Sequence, residues 1–180
     1  LETDLREGSN VARKVTLNKK ALQYMPFIVK EVTQLSDSLK KIKFYENLDA
    51  GAGQYVSLKV GDCRTKDKED DEFSKPFSVA NDKDGLELVI REVGSGTSKI
   101  CSLTENTVVR IKGPHGKRFK FPKDANVIYV GAGCGIAPVH HAATHHEGPK
   151  TFVIGAKTKD ELVYLQEFEQ MGEVQASTDD

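Results

Sequence analysis

The most restrictive feature of this 180-residue sequence is a change in its hydrophobic pattern near Pro122. Before that point apolar and polar residues alternate along short segments, as at Val56, Leu58 and Val60, which is typical of strands with one buried face. After it, the continuous apolar run 126–130 is typical of a strand buried on both faces of a parallel sheet. The chain is therefore expected to combine an antiparallel sheet with a parallel one.

The first part, residues 27–122, is predicted to be an antiparallel β-barrel. Its short strands are separated by clusters of Gly, Pro, Asn and Asp at 49–53, 81–85 and 113–116, which favour turns. Residues 1–26 show no sustained period and are predicted to be an N-terminal arm. Residues 64–72 mix both charges without an apolar position, which indicates a solvated loop.

The second part, residues 123–180, is predicted to be an α/β domain with a doubly wound parallel sheet. Strand 126–130 is followed by a predicted helix over 136–146 and a strand over 151–156. Thr158 and Glu161 have the spacing of a capping box for the next helix, which Gly172 ends. With a last strand over 173–177, only three strands are expected, so this domain is predicted to be incomplete.

Composition and charge exclude several classes of function. The 26 basic and 27 acidic residues give a net charge of −1, so no excess of positive charge favours nucleic acid. No apolar run reaches the roughly 18 residues of a membrane span. The three cysteines are widely spaced, which argues against a disulfide framework and indicates an intracellular, reducing compartment. Because the sequence opens with Leu1, both a cytoplasmic location and, after removal of a targeting peptide, a mitochondrial or plastid one stay open.

The strongest local motif is the glycine-rich turn over 131–138, directly after the buried strand. Glycines let the backbone approach a diphosphate, and the free amides and dipole of the following helix favour its negative charge. The alternative is a tight structural turn without a ligand. The candidate ligand-binding residues of this turn are Gly131, Gly133, Cys134, Gly135 and Pro138.

Five segments occur in an order and spacing that resemble the ferredoxin-NADP reductase superfamily. They begin at Gly53, Lys75, Val93, Gly113 and Gly131. The closest likeness is to small electron-transfer subunits, such as the flavin subunit of dihydroorotate dehydrogenase. The resemblance implies a flavin-binding barrel over 27–122 and an NAD(P)-binding domain over 123–180.

The resemblance also implies roles for the segment that begins at Lys75. In the family pattern the cation contacts a flavin phosphate, the aromatic ring packs on the flavin and the serine hydroxyl lies near flavin N5. Lysine stands where the family has arginine, so the bidentate fork is lost. The alternative is a strand that enters the barrel through a proline. The four residues are Lys75, Pro76, Phe77 and the predicted catalytic residue Ser78.

A second flavin contact is implied at Gly94, Gly96, Thr97 and Ser98, where a short helix is expected to begin. Either hydroxyl would serve equally well as an ordinary helix cap without a ligand. Lys157 follows the second parallel strand, where the superfamily places contacts to the nucleotide ribose or 2′-phosphate. An exposed lysine is also ordinary at such a position.

The expected function is that of a flavin-dependent oxidoreductase. FAD, rather than FMN, would pass electrons between NAD(P)H and a protein or cluster acceptor, and the chain would act within a larger, hetero-oligomeric complex. One alternative is a catalytically degenerate reductase fold with a structural or regulatory role in such a complex. Another is a nucleotide-sensing module without electron transfer.

Two further motifs, a cysteine in the glycine-rich turn and a pair of histidines in the following helix, also have simpler explanations. Cys134 lies at a helix N-terminus, where a thiolate is stabilised and a redox role is possible in principle, but a small residue that packs under a cofactor is the simpler explanation and is favoured. His141 and His145 have the spacing of a shared metal ligand pair, but no glutamate follows the first histidine as zinc peptidases require. The sequence therefore predicts no metal site.

Overall fold

The computed structural model describes residues 23–60, 74–122 and 124–180. Most of the predicted arm, the predicted loop over 64–72 and Cys63 lie outside the described residues. The first strand begins at Met25, within the last residues assigned to the arm. No helix in the described ranges is both long enough and apolar enough to cross a membrane.

Six antiparallel strands close into a barrel in the spatial order β1-β2-β5-β4-β3-β6. The barrel is filled by apolar side chains such as Val56 and Leu58, which are fully buried. Phe27 and Phe44 meet edge to face inside it, with ring centroids 5.8 Å apart. The strands are β1 (Met25–Ser36), β2 (Leu39–Phe44), β3 (Tyr55–Lys59), β4 (Lys75–Asn81), β5 (Glu87–Arg91) and β6 (Val108–His115).

The remaining strands form a parallel three-stranded sheet in the order β7-β8-β9. Helix α1 lies between β5 and β6, and helices α2 and α3 alternate with the parallel strands. The predicted combination of an antiparallel barrel with a parallel sheet is confirmed. The elements are α1 (Ser95–Cys101), β7 (Val127–Ala132), α2 (Ile136–Ala143), β8 (Lys150–Ala156), α3 (Leu165–Met171) and β9 (Glu173–Thr178), with 3₁₀ turns at Gly133–Gly135 and Lys159–Glu161.

The parallel sheet is buried on one face, whereas the sequence predicted burial on both. Tyr129 and Phe152 point toward the helices, and the Phe152 ring lies 4.6 Å from that of Phe168 in α3. On the opposite face Ile128 is 64% exposed and Val130 is 70% exposed. The reason is that residues of α2 and α3 pack into the same apolar cluster, so the described chain has no helix on the other side.

The barrel and the parallel sheet share a second apolar core. This core contains Leu39, Ala80 and Val89 from the outer face of the barrel together with residues of α2, α3 and the sheet. Helix α2 packs directly against β4. The two parts are therefore joined by a continuous apolar contact.

The second core should determine the stability of the folded chain. Phe168 is fully buried, so the Phe168→Ala variant is expected to lose about 3–5 kcal/mol of unfolding free energy. The matched control is Val130→Ala on the exposed face, which should change that free energy by less than about 0.5 kcal/mol. Urea unfolding followed by circular dichroism measures both. Equal losses would contradict the placement of the core.

Candidate functional site

The beginning of β4 presents the first group of predicted site residues on the barrel surface. Lys75, Pro76 and Ser78 are exposed. Phe77 is half-buried and packs against the barrel core, so only part of its ring remains at the surface. Ser78 pairs across the ladder with Tyr55 of β3, which is 40% exposed. Pro76 and Ser78, two positions apart on the strand, therefore share one exposed face of β4, and Lys75 lies at the exposed start of the same strand.

The first turn of α1 lies beside Lys75. A Cβ atom built on Gly96 would come within 3.1 Å of Lys75 Cε, so the lysine side chain passes over this turn. The first amides of a helix have no partner within the helix, and the helix dipole adds partial positive charge there. An ammonium group beside such amides makes this surface attractive to an anion.

Thr97 and Ser98 are committed to bonds within the turn. The Thr97 hydroxyl accepts the amide protons of Val93 at 2.8 Å and Gly94 at 3.1 Å, and donates to the Gly94 carbonyl at 2.9 Å. The Ser98 hydroxyl donates to Glu92 Oε1 at 2.7 Å. These side chains fix the shape of the turn, and the amides of Val93 and Gly94 are already bonded within it.

The glycines of the two predicted cofactor segments differ in what they leave open. A Cβ atom on Gly94 or on Gly135 would meet no heavy atom within 4 Å. A Cβ on Gly131 would come within 3.1 Å of Val139 and 3.2 Å of the Gly135 carbonyl oxygen, so Gly131 allows the strand to pack closely on the helix. Internal packing therefore explains the glycine at position 131. Gly94 and Gly135 instead lie beside open space.

The glycine-rich turn connects β7 to α2 through the 3₁₀ turn Gly133–Gly135. Gly133 adopts φ +51°, a left-handed conformation that favours glycine. Pro138 lies in the first turn of α2, where no backbone donor is required. The strand-to-helix geometry predicted for this motif is therefore present.

A cavity of about 480 Å³ opens at the carboxyl ends of all three parallel strands. In open α/β sheets this is the edge at which ligands bind. The predicted residues Gly133 and Lys157 both line it. The other lining residues are Arg91, Ala132, Gly155, Ala156, Glu161, Ser177 and Asp179.

An ion pair between Arg91 and Glu161 spans this crevice, and the sequence did not reveal it. Arg91 Nη1 lies 2.8 Å from Glu161 Oε1, and Nη2 lies 2.9 Å from Oε2, which is a bidentate arrangement. These bonds raise the pKa of Arg91 further and lower the pKa of Glu161. Arg91 also donates to Ser38 Oγ at 2.9 Å, and Cys134 is close enough to raise the pKa of Arg91 as well.

The capping-box prediction for Glu161 was therefore wrong. Thr158 makes no side-chain cap bond, and α3 begins only at Leu165, after Tyr164 in a left-handed conformation at φ 63°. The Glu161 carboxylate is bonded to Arg91 and is not free to cap the helix. A partner seventy positions away leaves no periodic signal in a single sequence.

A second set of polar contacts joins the two parts of the chain. The Tyr164 hydroxyl donates to the buried carboxylate of Glu87 in β5. Burial, together with Glu87, raises the pKa of Tyr164 well above its usual range. The Tyr164 ring stacks on His140 at 4.1 Å, and His140 Nδ1 lies 2.9 Å from the Ala80 carbonyl oxygen. These contacts fix α2 and the start of α3 on the barrel.

His141 of α2 and His145, just beyond the end of that helix, line a separate cavity of about 260 Å³ together with Asp82. His141 is almost fully buried, and its ring meets that of His145 edge on at 4.6 Å. Within the described residues no three His, Cys, Asp or Glu side chains are placed to bind a metal ion together. Burial lowers the pKa of His141 to about 4 and raises that of Asp82 to about 6.

The two groups of predicted residues meet at the end of β5. Arg91 contacts Cys134 of the glycine-rich turn, and Gly94, three residues later, opens the turn before α1. Lys75, Ser78 and Gly96 lie on the barrel side of this junction. Gly133, Gly135 and Lys157 lie on the side of the parallel sheet.

The family model for the oxidoreductase FAD-binding domain matches residues 26–121. A Pyrococcus horikoshii protein named probable dihydroorotate dehydrogenase B (NAD(+)), electron transfer subunit, is 34% identical over 84% of this chain and 57% of its own. The corresponding electron transfer subunit of Fusobacterium nucleatum is 29% identical over 84% of this chain and 61% of its own. This chain thus spans about three fifths of the length of these relatives.

Solved structures share the fold. The structure of an NADH-dependent reduced ferredoxin-NADP oxidoreductase superposes with a TM-score of 0.73 at 22% identity, over 91% of this chain and 59% of that one. The ferredoxin-NADP⁺ reductase of Plasmodium falciparum with 2′P-AMP superposes with a TM-score of 0.69 at 15% identity, over 86% of this chain and 74% of that one.

The cavity beside α2 generates a prediction about pH. The pKa of His141 is the ordinary 6.5 in the unfolded chain and about 4 in the folded chain. As the pH falls through this range the unfolded chain binds more protons than the folded one, so the folded chain loses stability. Asp82 has the opposite sign, since its folded pKa of about 6 lies above the ordinary 3.8 and stability is gained as pH falls. The two effects oppose each other in the unaltered chain.

Each substitution should therefore uncover the other residue's effect. As the pH falls from 6.5 to 4, the Asp82→Asn variant is expected to lose on the order of 2 kcal/mol more unfolding free energy than the unaltered chain. The His141→Phe variant should instead gain unfolding free energy over the same range. Urea unfolding at intermediate pH values measures this. Glu169→Gln, an exposed carboxylate away from the cavity, is the control. Parallel pH profiles for both variants would contradict the assignment.

Proposed function

This chain belongs to the oxidoreductase FAD-binding domain family, and from that premise we propose that it is a flavoprotein that passes electrons between NAD(P)H and a protein or cluster acceptor. FAD would bind on the barrel face formed by the start of β4 and the turn before α1. The nicotinamide nucleotide would bind in the crevice at the ends of the parallel strands. The single observation that supports this most is that the two glycine-lined surfaces meet at the end of β5.

The barrel surface suits a flavin diphosphate. Lys75 crosses the first turn of α1 at Gly96, so an ammonium group and free helix amides converge on one place. Gly94 faces open space, which allows a ligand to approach the backbone. The FAD-binding family, together with this second segment from Gly94 to Ser98, favours FAD over FMN.

Ser78 is suited to the reacting end of the flavin. Bound FAD supplies an isoalloxazine ring that accepts a hydride and releases electrons singly or in pairs. Ser78 is exposed on β4, and its hydroxyl makes no hydrogen bond within residues 23–60, 74–122 and 124–180. We assign it the role of donating a hydrogen bond to the flavin and orienting it. Pro76 and the exposed part of Phe77 would form the adjoining apolar surface.

The crevice suits a dinucleotide. Gly133, Cys134 and Gly135 form the turn on which a diphosphate would lie, Pro138 follows in the first turn of α2, and Gly131 keeps strand and helix close. Lys157 lines the same cavity and would face a ribose or a 2′-phosphate. The choice between NADH and NADPH would depend on this side chain and its neighbours.

The relatives named electron transfer subunits support a role in a hetero-oligomeric complex, with the acceptor on another subunit. We also propose that the chain is divided into an N-terminal arm (1–26), an FAD-binding barrel (27–122) and an NAD(P)-binding domain (123–180). A reducing compartment is also part of it, since Cys101 and Cys134 are free thiols.

The charge of Lys75 should contribute to FAD affinity. Lys75→Gln is expected to raise the Kd for FAD about tenfold, because a charge-assisted contact to phosphate is lost. Lys75→Arg should bind FAD at least as tightly as the unaltered chain, since its fork suits phosphate. Titration of the apoprotein followed by flavin fluorescence measures this, with the exposed Lys83→Gln as control. An unchanged Kd for Lys75→Gln would refute the assignment.

The proposed function is tested by the absorption spectrum of the purified chain before and after anaerobic addition of NADH or NADPH. A flavin band that bleaches is expected. In Ser78→Ala the flavin content should stay constant while the bleaching rate falls at least about tenfold; Ser57→Ala on the neighbouring strand is the control.

Two results would contradict this assignment. Equal bleaching rates in Ser78→Ala and the unaltered chain would remove the role given to Ser78. A colourless protein, or a flavin that neither nucleotide reduces, would instead favour the degenerate subunit with a structural or regulatory role.

A further inference from the structure

Arg91 occupies an unusual place in the crevice, because its guanidinium is shared between the barrel and the parallel-sheet part. Both of its terminal nitrogens bond to the carboxylate of Glu161, and one also donates to Ser38 Oγ. The Glu161 side chain is 7% exposed, whereas the Arg91 side chain is 24% exposed. The open side of the pair is therefore the side of the arginine.

The same guanidinium lies next to the glycine-rich turn. A Cβ atom on Gly133 would be 3.7 Å from Arg91 Nη2, so the guanidinium lies against the backbone of this turn. The fork that binds a carboxylate through two parallel bonds binds a phosphate in the same way. A diphosphate on the Gly133–Gly135 turn would be within reach of nitrogens that Glu161 now occupies.

We propose that Glu161 competes with the diphosphate of the nicotinamide nucleotide for Arg91, so that nucleotide binding replaces a carboxylate by a phosphate on the guanidinium. This inference rests on the proposed function, because it assumes that the nucleotide lies on that turn. The exchange would open the ion pair that ties β5 to the Lys159–Glu161 turn. Nucleotide affinity and the contact between the two parts of the chain would thus be coupled.

Both partners keep other bonds when the pair opens. Glu161 retains the Ser36 hydroxyl at 3.3 Å and a hydrogen bond from the backbone of Lys157. Arg91 retains the Ser38 hydroxyl. Neither charge would be left buried without a partner, which is the condition under which opening an ion pair is most unfavourable.

The experiment measures the Kd for NAD⁺ by calorimetry on the FAD-loaded full chain. Arg91→Gln is expected to weaken binding about tenfold or more, because a charge-assisted contact to phosphate is lost. Glu161→Gln is expected to tighten binding about fivefold, because the competitor then holds Arg91 less strongly. A damaged fold weakens binding, so a gain cannot come from structural damage.

Two further variants separate exchange at Arg91 from a general effect of charge. In the Arg91→Gln background, Glu161→Gln should change the Kd for NAD⁺ by less than about twofold, since the two effects act through the same guanidinium. Asp84→Asn also removes a carboxylate from an ion pair, with Lys43 at 3.1 Å, but that pair lies outside the crevice. It should leave the Kd unchanged.

The FAD affinity of the same variants identifies which phosphate reaches Arg91. An unchanged Kd for FAD in Arg91→Gln is expected; a change in FAD affinity without one in NAD⁺ affinity would overturn the proposal. Weaker or equal NAD⁺ binding by Glu161→Gln would overturn it too, even if the flavin were still reduced by NADH. Failure of the unaltered chain to bind NAD⁺ would overturn both this inference and the nucleotide part of the proposed function.

Discussion

Strand β5 is buried on both of its faces, and the arrangement of the whole molecule depends on that constraint. Leu88 and Ile90 point into the barrel and are fully buried. The intervening side chains point the other way: Val89 enters the second apolar core, while Glu87 and Arg91 bond to Tyr164 and Glu161. Because side chains in a strand alternate, one five-residue segment contributes to both cores at once.

This dual burial places the two candidate ligand surfaces side by side. Strand β5 ends at Arg91, against the glycine-rich turn, and the chain then continues directly into the turn before α1. A shift of β5 by one residue would move its apolar side chains to the wrong core and separate the two surfaces. The juxtaposition of these two candidate surfaces is thus a consequence of packing, before any ligand binds.

The sequence predicted those parts of the fold that depend on local pattern. Alternation at Val56 and Leu58 indicated the barrel, and the glycines from Gly131 indicated the strand-to-helix turn. It failed where a side chain is held by a distant partner. Glu161 has the spacing of a capping residue and forms an ion pair instead. The apolar run at Ile128 and Val130 indicated burial on both faces, but both helices lie on the other side.

The two proposed phosphate surfaces are built alike but differ in charge balance. On each, a cation lies against a glycine near the start of a helix: Lys75 beside Gly96 in the first turn of α1, and Arg91 beside Gly133 in the turn before α2. Within the described ranges no carboxylate pairs with Lys75, whereas Arg91 is held by Glu161. An uncompensated cation retains its phosphate, as suits a resident flavin. A cation with its own competing carboxylate binds more weakly and releases its ligand more readily, as suits a nucleotide that must leave after each turnover.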